Sequence, residues 1–255
     1  MLSIVVPGFN EAGNLAPLIS AIHSTMAGIP LPYEIVYVDD ASTDESWALL
    51  QEQGAADARV RGLRLARNSG QSAALWTGLQ AARGQLIATL DADLQNDPAE
   101  LPRLLDALRH GDCVCGSRRQ TRDQGDNWIR QLSSRLANWT RNRVTRENIR
   151  DSACGYRVFR RECVANLKFF NGMHRFLPTL IKLEGFTVTE IPVQHQMRHA
   201  GRSHYGVWNR LFVTIPDLLA VRWMQDRMIR YVIAERINMN PESTAPIQRG
   251  KNVPD

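Results

Sequence analysis

The chain has 255 residues, of which 44% are hydrophobic and 22% are charged, and its formal net charge is +5. These values are typical of ordinary globular proteins and exclude a collagen-like, low-complexity or wholly disordered chain. A chain of this length can bury a full hydrophobic core, so one globular domain is the default expectation.

The charges are divided unevenly along the chain. Residues 1–115 contain 7 Lys and Arg residues against 14 Asp and Glu residues, whereas residues 116–236 contain 22 against 10. An acidic half suits a bound metal ion, and a basic half suits phosphates or an anionic membrane surface, although a nucleic acid is attracted by the same field. The charge pattern alone leaves these partners open.

Residues 1–7 have no basic segment and reach a proline too soon for the apolar region of a signal peptide, so we expect a protein of the cytosol. The four cysteines have no Cys-x-x-Cys spacing, which favours buried free thiols. His195, His199 and His204 stand among arginines and glycines without a thiolate or carboxylate beside them, so a basic loop is favoured over a zinc site.

Short apolar runs alternate with helical patterns over the first 115 residues. Leu15, Leu18, Ile19 and Ile22 recur at steps of three and four residues, and Pro98 begins a second helical pattern. Strands separated by helices predict an α/β fold with a mainly parallel, doubly wound sheet. The predicted strands are Leu2–Val6, Glu34–Val38, Val60–Leu65, Leu86–Leu90 and Cys113–Cys115.

Polar segments follow the first four predicted strands. Ligands bind beyond the carboxyl ends of the strands in such sheets, so these segments are the expected place for the chemistry. The sequence contains no Gly-x-Gly-x-x-Gly fingerprint and no Gly-Lys-Ser/Thr loop, so neither a dinucleotide site nor a P-loop is indicated. The polar segments are Pro7–Glu11, Asp39–Asp44, Arg67–Gly70 and Asp91–Gln95.

Beyond residue 116 the chain is rich in arginine, and a helix and a strand are predicted within His174–Val193, before a loop at Arg198–Tyr205. An amphipathic run then has one apolar helical face with arginines beside it. Asp217 and Arg222 interrupt this run, so it is too short to span a membrane. The pattern is compatible with a helix packed on the core and with one lying in a membrane interface. The apolar face contains Trp208, Leu211, Phe212, Ile215, Leu218, Leu219 and Trp223.

Asp91 and Asp93 directly follow the apolar strand Leu86–Leu90. On an extended chain a spacing of two places both carboxylates on the same side of the sheet, where they repel each other unless a cation joins them. Hard oxygen ligands favour Mg²⁺ or Mn²⁺, and the amide of Gln95 can complete the set while diphosphate oxygens take the remaining positions. The alternative is that the two aspartates only cap the helix that begins at Pro98.

The segments Ser3–Glu11, Val38–Asp44 and Asp91–Gln95 have the order and spacing of the family 2 glycosyltransferases with the GT-A fold, which the chain resembles. The likeness is specific to the branch of dolichyl-phosphate mannosyltransferases and bacterial polyprenyl-phosphate sugar transferases, and it covers residues 2 to about 207. It continues through Asn68–Gly70, Gly116–Arg118, Asp151–Tyr156 and Arg198–Ser203.

The resemblance implies a glycosyltransferase domain at residues 1–207 and amphipathic membrane-proximal helices at 208–237. Residues 238–255, with three prolines and few apolar groups, are predicted to be a disordered tail. Members of this branch often have transmembrane helices after the domain, whereas the amphipathic run of this chain is too short to span a membrane. This chain is therefore expected to be peripheral on the cytoplasmic face of a membrane, held by the amphipathic segment or by a separate small membrane subunit.

The resemblance also implies roles for individual residues. The nucleotide-sugar pocket is formed by Pro7, Phe9 and Glu11, by Asp39 and Asp40 at the base and ribose, and by Asp91. Asp91, Asp93 and Gln95 are expected to be the metal ligands. The phosphates of the donor and the acceptor are bound by Arg118, Arg130, Ser134, Arg198 and Ser203. The catalytic set is Asp93, Asp151 beside the reacting sugar, and Arg198.

Two positions depart from the family pattern, because Phe9 replaces the usual tyrosine and His204 replaces a lysine common after the Gly-x-Ser turn. The second change matters for phosphate binding, since a neutral imidazole offers only one donor.

The implied reaction moves a hexosyl group from a GDP- or UDP-linked sugar to a polyprenyl phosphate with inversion. A metal ion and guanidinium groups stabilise the charge on the leaving diphosphate. A phosphate acceptor is mostly dianionic near neutral pH, since its second pKa is about 6, so no strong general base is required. A transferase acting on a sugar or protein hydroxyl, which needs a base, is one alternative. A non-catalytic protein that binds RNA or anionic lipid is another, although RNA-binding signatures are absent and we expect no nucleic acid partner.

Overall fold

The computed structural model describes residues 1–118, 138–149, 151, 154–194 and 207–229, with the side chains of the last segment described from residue 215. The strands are β1 Leu2–Gly8, β2 Tyr33–Asp39, β3 Val60–Arg64, β4 Leu86–Thr89, β5 Cys113–Ser117, β6 Arg157–Arg160 and β7 Val188–Pro192. The helices are α1 Ala12–Ala27, α2 Ser46–Ala56, α3 Gln71–Ala81, α4 Leu101–Ala107, α5 at 138–145, α6 Leu177–Leu183 and α7 Val207–Arg227.

The strands form one seven-stranded sheet in the order β3-β2-β1-β4-β6-β5-β7. Strand β6 is antiparallel to both of its neighbours, and the other adjacent pairs are parallel. The prediction of a mainly parallel α/β sheet is therefore confirmed, as are the helix and strand expected within His174–Val193. Strand β6 was not predicted, because its four residues include arginines at both ends, one of which, Arg157, is buried in the fold.

Two hydrophobic cores lie on opposite faces of the sheet. Successive side chains of β1 point to opposite sides, so Ile4 and Val6 enter the first core while Val5 enters the second. Helices α1 and α4 cover the first core, and α3, α6 and α7 contribute to the second. This arrangement confirms a doubly wound sheet.

Helix α3 lies close to the centre of the sheet because it contains a glycine at the contact. A Cβ atom on Gly78 would come within 2.4 Å of Cγ1 of Val5 and 3.2 Å of Cγ2 of Val38. A larger residue would push the helix away from β1 and β2. This close packing sets the distance between the sheet and α3, whose first residue is Gln71.

All four cysteines are free and buried, as predicted. Burial raises the pKa of the Cys154 thiol to about 12, so it stays protonated at physiological pH.

Helix α7 differs from the sequence-based expectation. Leu218 and Val221 pack into the second core, whereas Ile215, Leu219 and Trp223 are 47%, 59% and 62% exposed. The apolar face predicted from the sequence is therefore divided, because Leu218 at its edge packs into the second core while the other three side chains are exposed. We call Ile215, Leu219 and Trp223 the outer stripe.

Among the residues that the structure describes, no helix is both long and apolar enough to cross a membrane. The structure does not describe the loop at 198–205 or the segment 238–255. It also does not describe the side chains of Trp208, Leu211 and Phe212.

Candidate functional site

The first four strands are parallel, so the loops that follow them all begin at the carboxyl edge of the sheet. Each contains a residue with left-handed backbone: Asn10 at φ 56°, Ala41 at 59°, Gly70 at 87° and Leu94 at 58°. Such a conformation strains a residue other than glycine by an amount of order 1 kcal/mol or more and concentrates at functional sites. The predicted polar segments therefore lie together at the carboxyl edge of the sheet.

The loops after β1 and β2 are joined by hydrogen bonds. The backbone NH of Asn10 donates to Oγ of Ser42 at 2.8 Å, and the backbone NH of Thr43 donates to Oδ1 of Asn10 at 2.8 Å. These bonds place the predicted nucleoside-pocket segment Pro7–Glu11 against the loop that begins with Asp39 and Asp40.

Asp39 is fully buried at the end of β2. Its Oδ2 lies 3.2 Å from Nε of Arg64 and accepts a 3.2 Å hydrogen bond from the backbone NH of Ser42. The guanidinium of Arg64 also lies over the Trp47 ring, 5.7 Å from its centroid. The pattern of β3 alone did not indicate Arg64 as part of this site, since a charged strand residue is typical of an exposed position.

Asp40 holds the loop between β3 and α3. Its Oδ1 accepts from the backbone NH of Ser69 at 2.7 Å, and its Oδ2 accepts from that of Gly70 at 2.8 Å. Hydrogen bonds of this kind to an ionised carboxylate are short and strong. The predicted site residue Asp40 therefore also determines the position at which α3 begins.

The segment Asp91–Gln95 forms a turn after β4, which ends at Thr89. The expectation of an extended chain here was wrong, because Oδ1 of Asp93 accepts from the backbone NH of Gln95 at 3.2 Å and Leu94 is left-handed. The alternative capping role is also not the observed one, since the helical turn at Pro98 is capped by Asp97, whose side chain accepts from the NH of Ala99.

Asp91 and Asp93 lie in this turn together with the amide of Gln95. Among the described residues no group of three or more His, Cys, Asp or Glu side chains could enclose a metal ion. Two carboxylates and one amide provide a partial ligand set of hard oxygens, the kind that Mg²⁺ or Mn²⁺ completes with substrate phosphates. The residues present therefore fit an open site for a divalent cation.

Arg118 and Asp151, both predicted site residues, are paired with each other. Nε and one terminal nitrogen of Arg118 donate to the two Asp151 oxygens at 2.9 and 3.1 Å, and the backbone NH of Arg118 donates to Oδ2 at 3.0 Å. Burial alone would lower the pKa of Arg118, but the hydrogen bonds and charge of Asp151 outweigh burial and raise it. The sequence did not indicate this contact between residues 33 positions apart.

Arg130, Ser134, Arg198 and Ser203 lie outside the described residues, so their predicted phosphate contacts and the catalytic role of Arg198 stay predictions.

The model of the family described as "Glycosyl transferase family 2" matches residues 3–167. The dodecaprenyl-phosphate galacturonate synthase of Rhizobium johnstonii is 36% identical over 225 residues, covering 86% of this chain and 66% of the relative. The undecaprenyl-phosphate 4-deoxy-4-formamido-L-arabinose transferase of Edwardsiella ictaluri is 37% identical over 207 residues, covering 81% and 63%. The chain thus spans slightly less than two thirds of the length of these curated relatives.

Solved structures share the fold at low sequence identity. Glucosyl-3-phosphoglycerate synthase from Mycobacterium tuberculosis, in complex with Mn²⁺, UDP and phosphoglyceric acid, has a TM-score of 0.66 and 18% identity, covering 90% of this chain and 80% of that one. Mannosyl-3-phosphoglycerate synthase from Rubrobacter xylanophilus has a TM-score of 0.67 and 19% identity, covering 95% and 79%. These matches confirm the predicted GT-A fold.

Proposed function

The chain belongs to glycosyl transferase family 2, and we propose that it transfers a glycosyl group from a nucleotide-diphosphate sugar to a polyprenyl phosphate with inversion. The observation that carries the proposal is the similarity, at 36–37% identity, to relatives named for dodecaprenyl-phosphate and undecaprenyl-phosphate products or substrates. More specifically, we predict that the transferred group is a hexosyl group and that the donor is linked to GDP or UDP.

The turn Asp91–Gln95 would hold Mg²⁺ or Mn²⁺ through Asp91, Asp93 and Gln95. When bound, such a cation stabilises the charge that develops on the leaving diphosphate. The loops at Pro7–Glu11 and Asp39–Asp40 would bind the nucleoside. Arg130, Ser134, Arg198 and Ser203 would bind phosphate oxygens, for which the charge-assisted bonds of guanidinium groups are suited.

The contacts of Asp151 support a role in orienting the substrate rather than a role as a general base. Its two oxygens accept three hydrogen bonds from Arg118, which hold the carboxylate in one orientation. A phosphate acceptor has already lost its protons near neutral pH and needs no base to become nucleophilic. This arrangement favours a lipid phosphate over a hydroxyl as the acceptor.

The test is to incubate the protein with Mn²⁺ or Mg²⁺, a short polyprenyl phosphate and a panel of GDP- and UDP-sugars, and to identify the product by mass. Matched reactions contain the corresponding polyprenyl alcohol or phosphoglycerate in place of the lipid phosphate. We expect a glycosyl polyprenyl phosphate and no product with either hydroxyl acceptor. Transfer to a hydroxyl but not to the lipid phosphate would refute the proposal.

We place the membrane contact of this enzyme on the outer stripe of α7. Ile215, Leu219 and Trp223 follow one another at intervals of four residues, and they are exposed while the opposite side of the helix packs on the core. Arg222 pairs with Asp226 at 2.6 Å on the same helix, so the proposal rests on the exposed apolar side chains, among which Trp223 is of the type that lies at membrane interfaces. Such a contact would bring the site to a lipid-linked acceptor.

Replacing all three outer-stripe residues by Ser is expected to reduce co-sedimentation with anionic phosphatidylglycerol vesicles without lowering the melting temperature. The matched control is Leu218→Ser, which is expected to leave vesicle binding unchanged but to cost at least about 2 kcal/mol of stability, because Leu218 packs inside the protein. Unchanged vesicle binding by the triple variant would contradict the assignment and point to a separate membrane subunit.

A further inference from the structure

We propose that Gln71, the first residue of α3, is a positioning residue that holds Asp91 in the orientation in which it binds the divalent cation. The inference deepens the proposed metal-dependent transfer and rests on it. Nε2 of Gln71 donates a hydrogen bond of 3.0 Å to Oδ1 of Asp91. The two residues are 20 positions apart, and the tertiary structure alone brings them together.

The carboxylate of Asp91 is confined on a second side by Gly155. A Cβ atom at Gly155 would lie 2.4 Å from Oδ2 and 2.5 Å from Oδ1 of Asp91, so the carboxylate lies directly against the glycine backbone. The carbonyl of Gly155 in turn accepts a 2.6 Å hydrogen bond from Oγ1 of Thr89, the last residue of β4. The side chain of Asp91 is thus held between the start of α3 and the chain that leads into β6.

Gln71 is itself held firmly by the loop before it. Asp40 accepts from the backbone NH groups of Ser69 and Gly70, and Gly70 has a φ of 87° that turns the chain into α3. A residue with a side chain would be strained in this conformation. The predicted nucleoside-site residue Asp40 and the predicted metal ligand Asp91 are therefore connected through Gln71.

The residue after Gln71 fixes the helix start from the other side. Oγ of Ser72 lies 2.7 Å from Nδ1 of His174 and accepts a 2.9 Å hydrogen bond from the backbone NH of Gly172. Burial, together with the nearby charges of Arg175 and Arg157, lowers the pKa of His174 to about 3, so the imidazole is neutral at physiological pH. Two separate sets of contacts therefore set the place from which the Gln71 amide reaches Asp91.

An amide is chemically suited to this position. It donates a hydrogen bond without adding charge, so the carboxylate keeps its full negative charge for the cation, whereas a lysine or arginine would compete with the metal as a counter-ion. Partners that orient a metal ligand typically change metal affinity by about 10- to 100-fold when they are removed. The expected effect of removing the Gln71 amide is in this range.

The experiment compares Gln71→Leu with Gln80→Leu, since Gln80 lies exposed at the other end of the same helix. Mn²⁺ binding is measured with UDP and with GDP from the electron paramagnetic resonance signal of free Mn²⁺, relative to the same nucleotide without protein. We expect Gln71→Leu to bind Mn²⁺ about tenfold more weakly than the wild type and Gln80→Leu to bind it equally well. Both variants should keep the wild-type melting temperature.

The kinetic readout separates orientation from a general loss of structure. In Gln71→Leu the KM for Mn²⁺ should rise by a factor similar to that of the Kd, while kcat at saturating Mn²⁺ stays near the wild-type value. Unchanged Mn²⁺ binding by Gln71→Leu, or a wild-type protein that binds no Mn²⁺ with either nucleotide, would overturn the inference. Wild-type Mn²⁺ binding that Gln71→Leu weakens, without any sugar transfer, would instead refute the proposed function alone.

Discussion

Asp93→Ala and Asp93→Asn are both expected to lower kcat by about 100-fold or more, because each removes a negative charge from the proposed cation site. Asn keeps the size of the side chain and an oxygen that can accept from the NH of Gln95, as Asp93 does. The Asn variant therefore separates the loss of charge from a disturbance of the turn. Steady-state transfer assays with added Mn²⁺, and after EDTA treatment, measure the effect.

The matched control is Asp97→Ala, four residues further along the chain. Asp97 caps the helical turn at Pro98, so its loss is expected to cost about 1 kcal/mol of stability and to leave kcat unchanged. Asp93 variants that retained more than a tenth of the wild-type activity, in an enzyme that still requires metal, would count against Asp93 as a ligand.

Arg118→Met is expected to destabilise the protein by about 3 to 5 kcal/mol, because it leaves the buried carboxylate of Asp151 without its counter-ion. Both side chains of this pair are only 8% exposed. For a protein of this size the change corresponds to a fall in melting temperature of roughly 6 to 20 °C. Thermal and urea denaturation measure the effect, and the double variant Arg118→Met, Asp151→Leu should recover part of the lost stability because neither charge remains.

The control for this prediction is Arg109→Met. Arg109 pairs with Asp106 at 3.3 Å, but the two side chains are 78% and 71% exposed, so the expected cost is below about 1 kcal/mol. Equal stabilities of the Arg118 and Arg109 variants would mean that the Arg118–Asp151 pair is solvated in solution. Arg118 would then be available to bind phosphate, the role that the sequence resemblance implies for it.

The structure therefore shows that two residues assigned to separate roles from the sequence form one unit. Arg118 was predicted as a phosphate ligand and Asp151 as a neighbour of the reacting sugar. In the structure the two side chains form a salt bridge, so each neutralises the charge of the other. Loss of activity in either single variant will include the effect of the unpaired partner. A double-mutant cycle is the appropriate way to separate these contributions.

The strands β1 to β5, the helix pattern of α1 and the position of the polar loops could be predicted from the amino-acid sequence. These features depend on local periodicity and on apolar runs that have only one stable place in a doubly covered sheet. The motif Asp91–Gln95 was also recognisable, because its carboxylates and amide stand within five consecutive residues.

The contacts among the candidate site residues could not be predicted, because they depend on how distant segments pack together. Gln71 meets Asp91, Arg118 meets Asp151, and Asp40 holds the start of α3, all between segments far apart in the chain. The same holds for α7, where hydrophobic periodicity marks apolar positions but does not show which of them are buried in the second core. A sequence pattern records which side chains avoid water or carry charge, whereas packing selects the partner of each one, and that choice depends on the position of every neighbouring element.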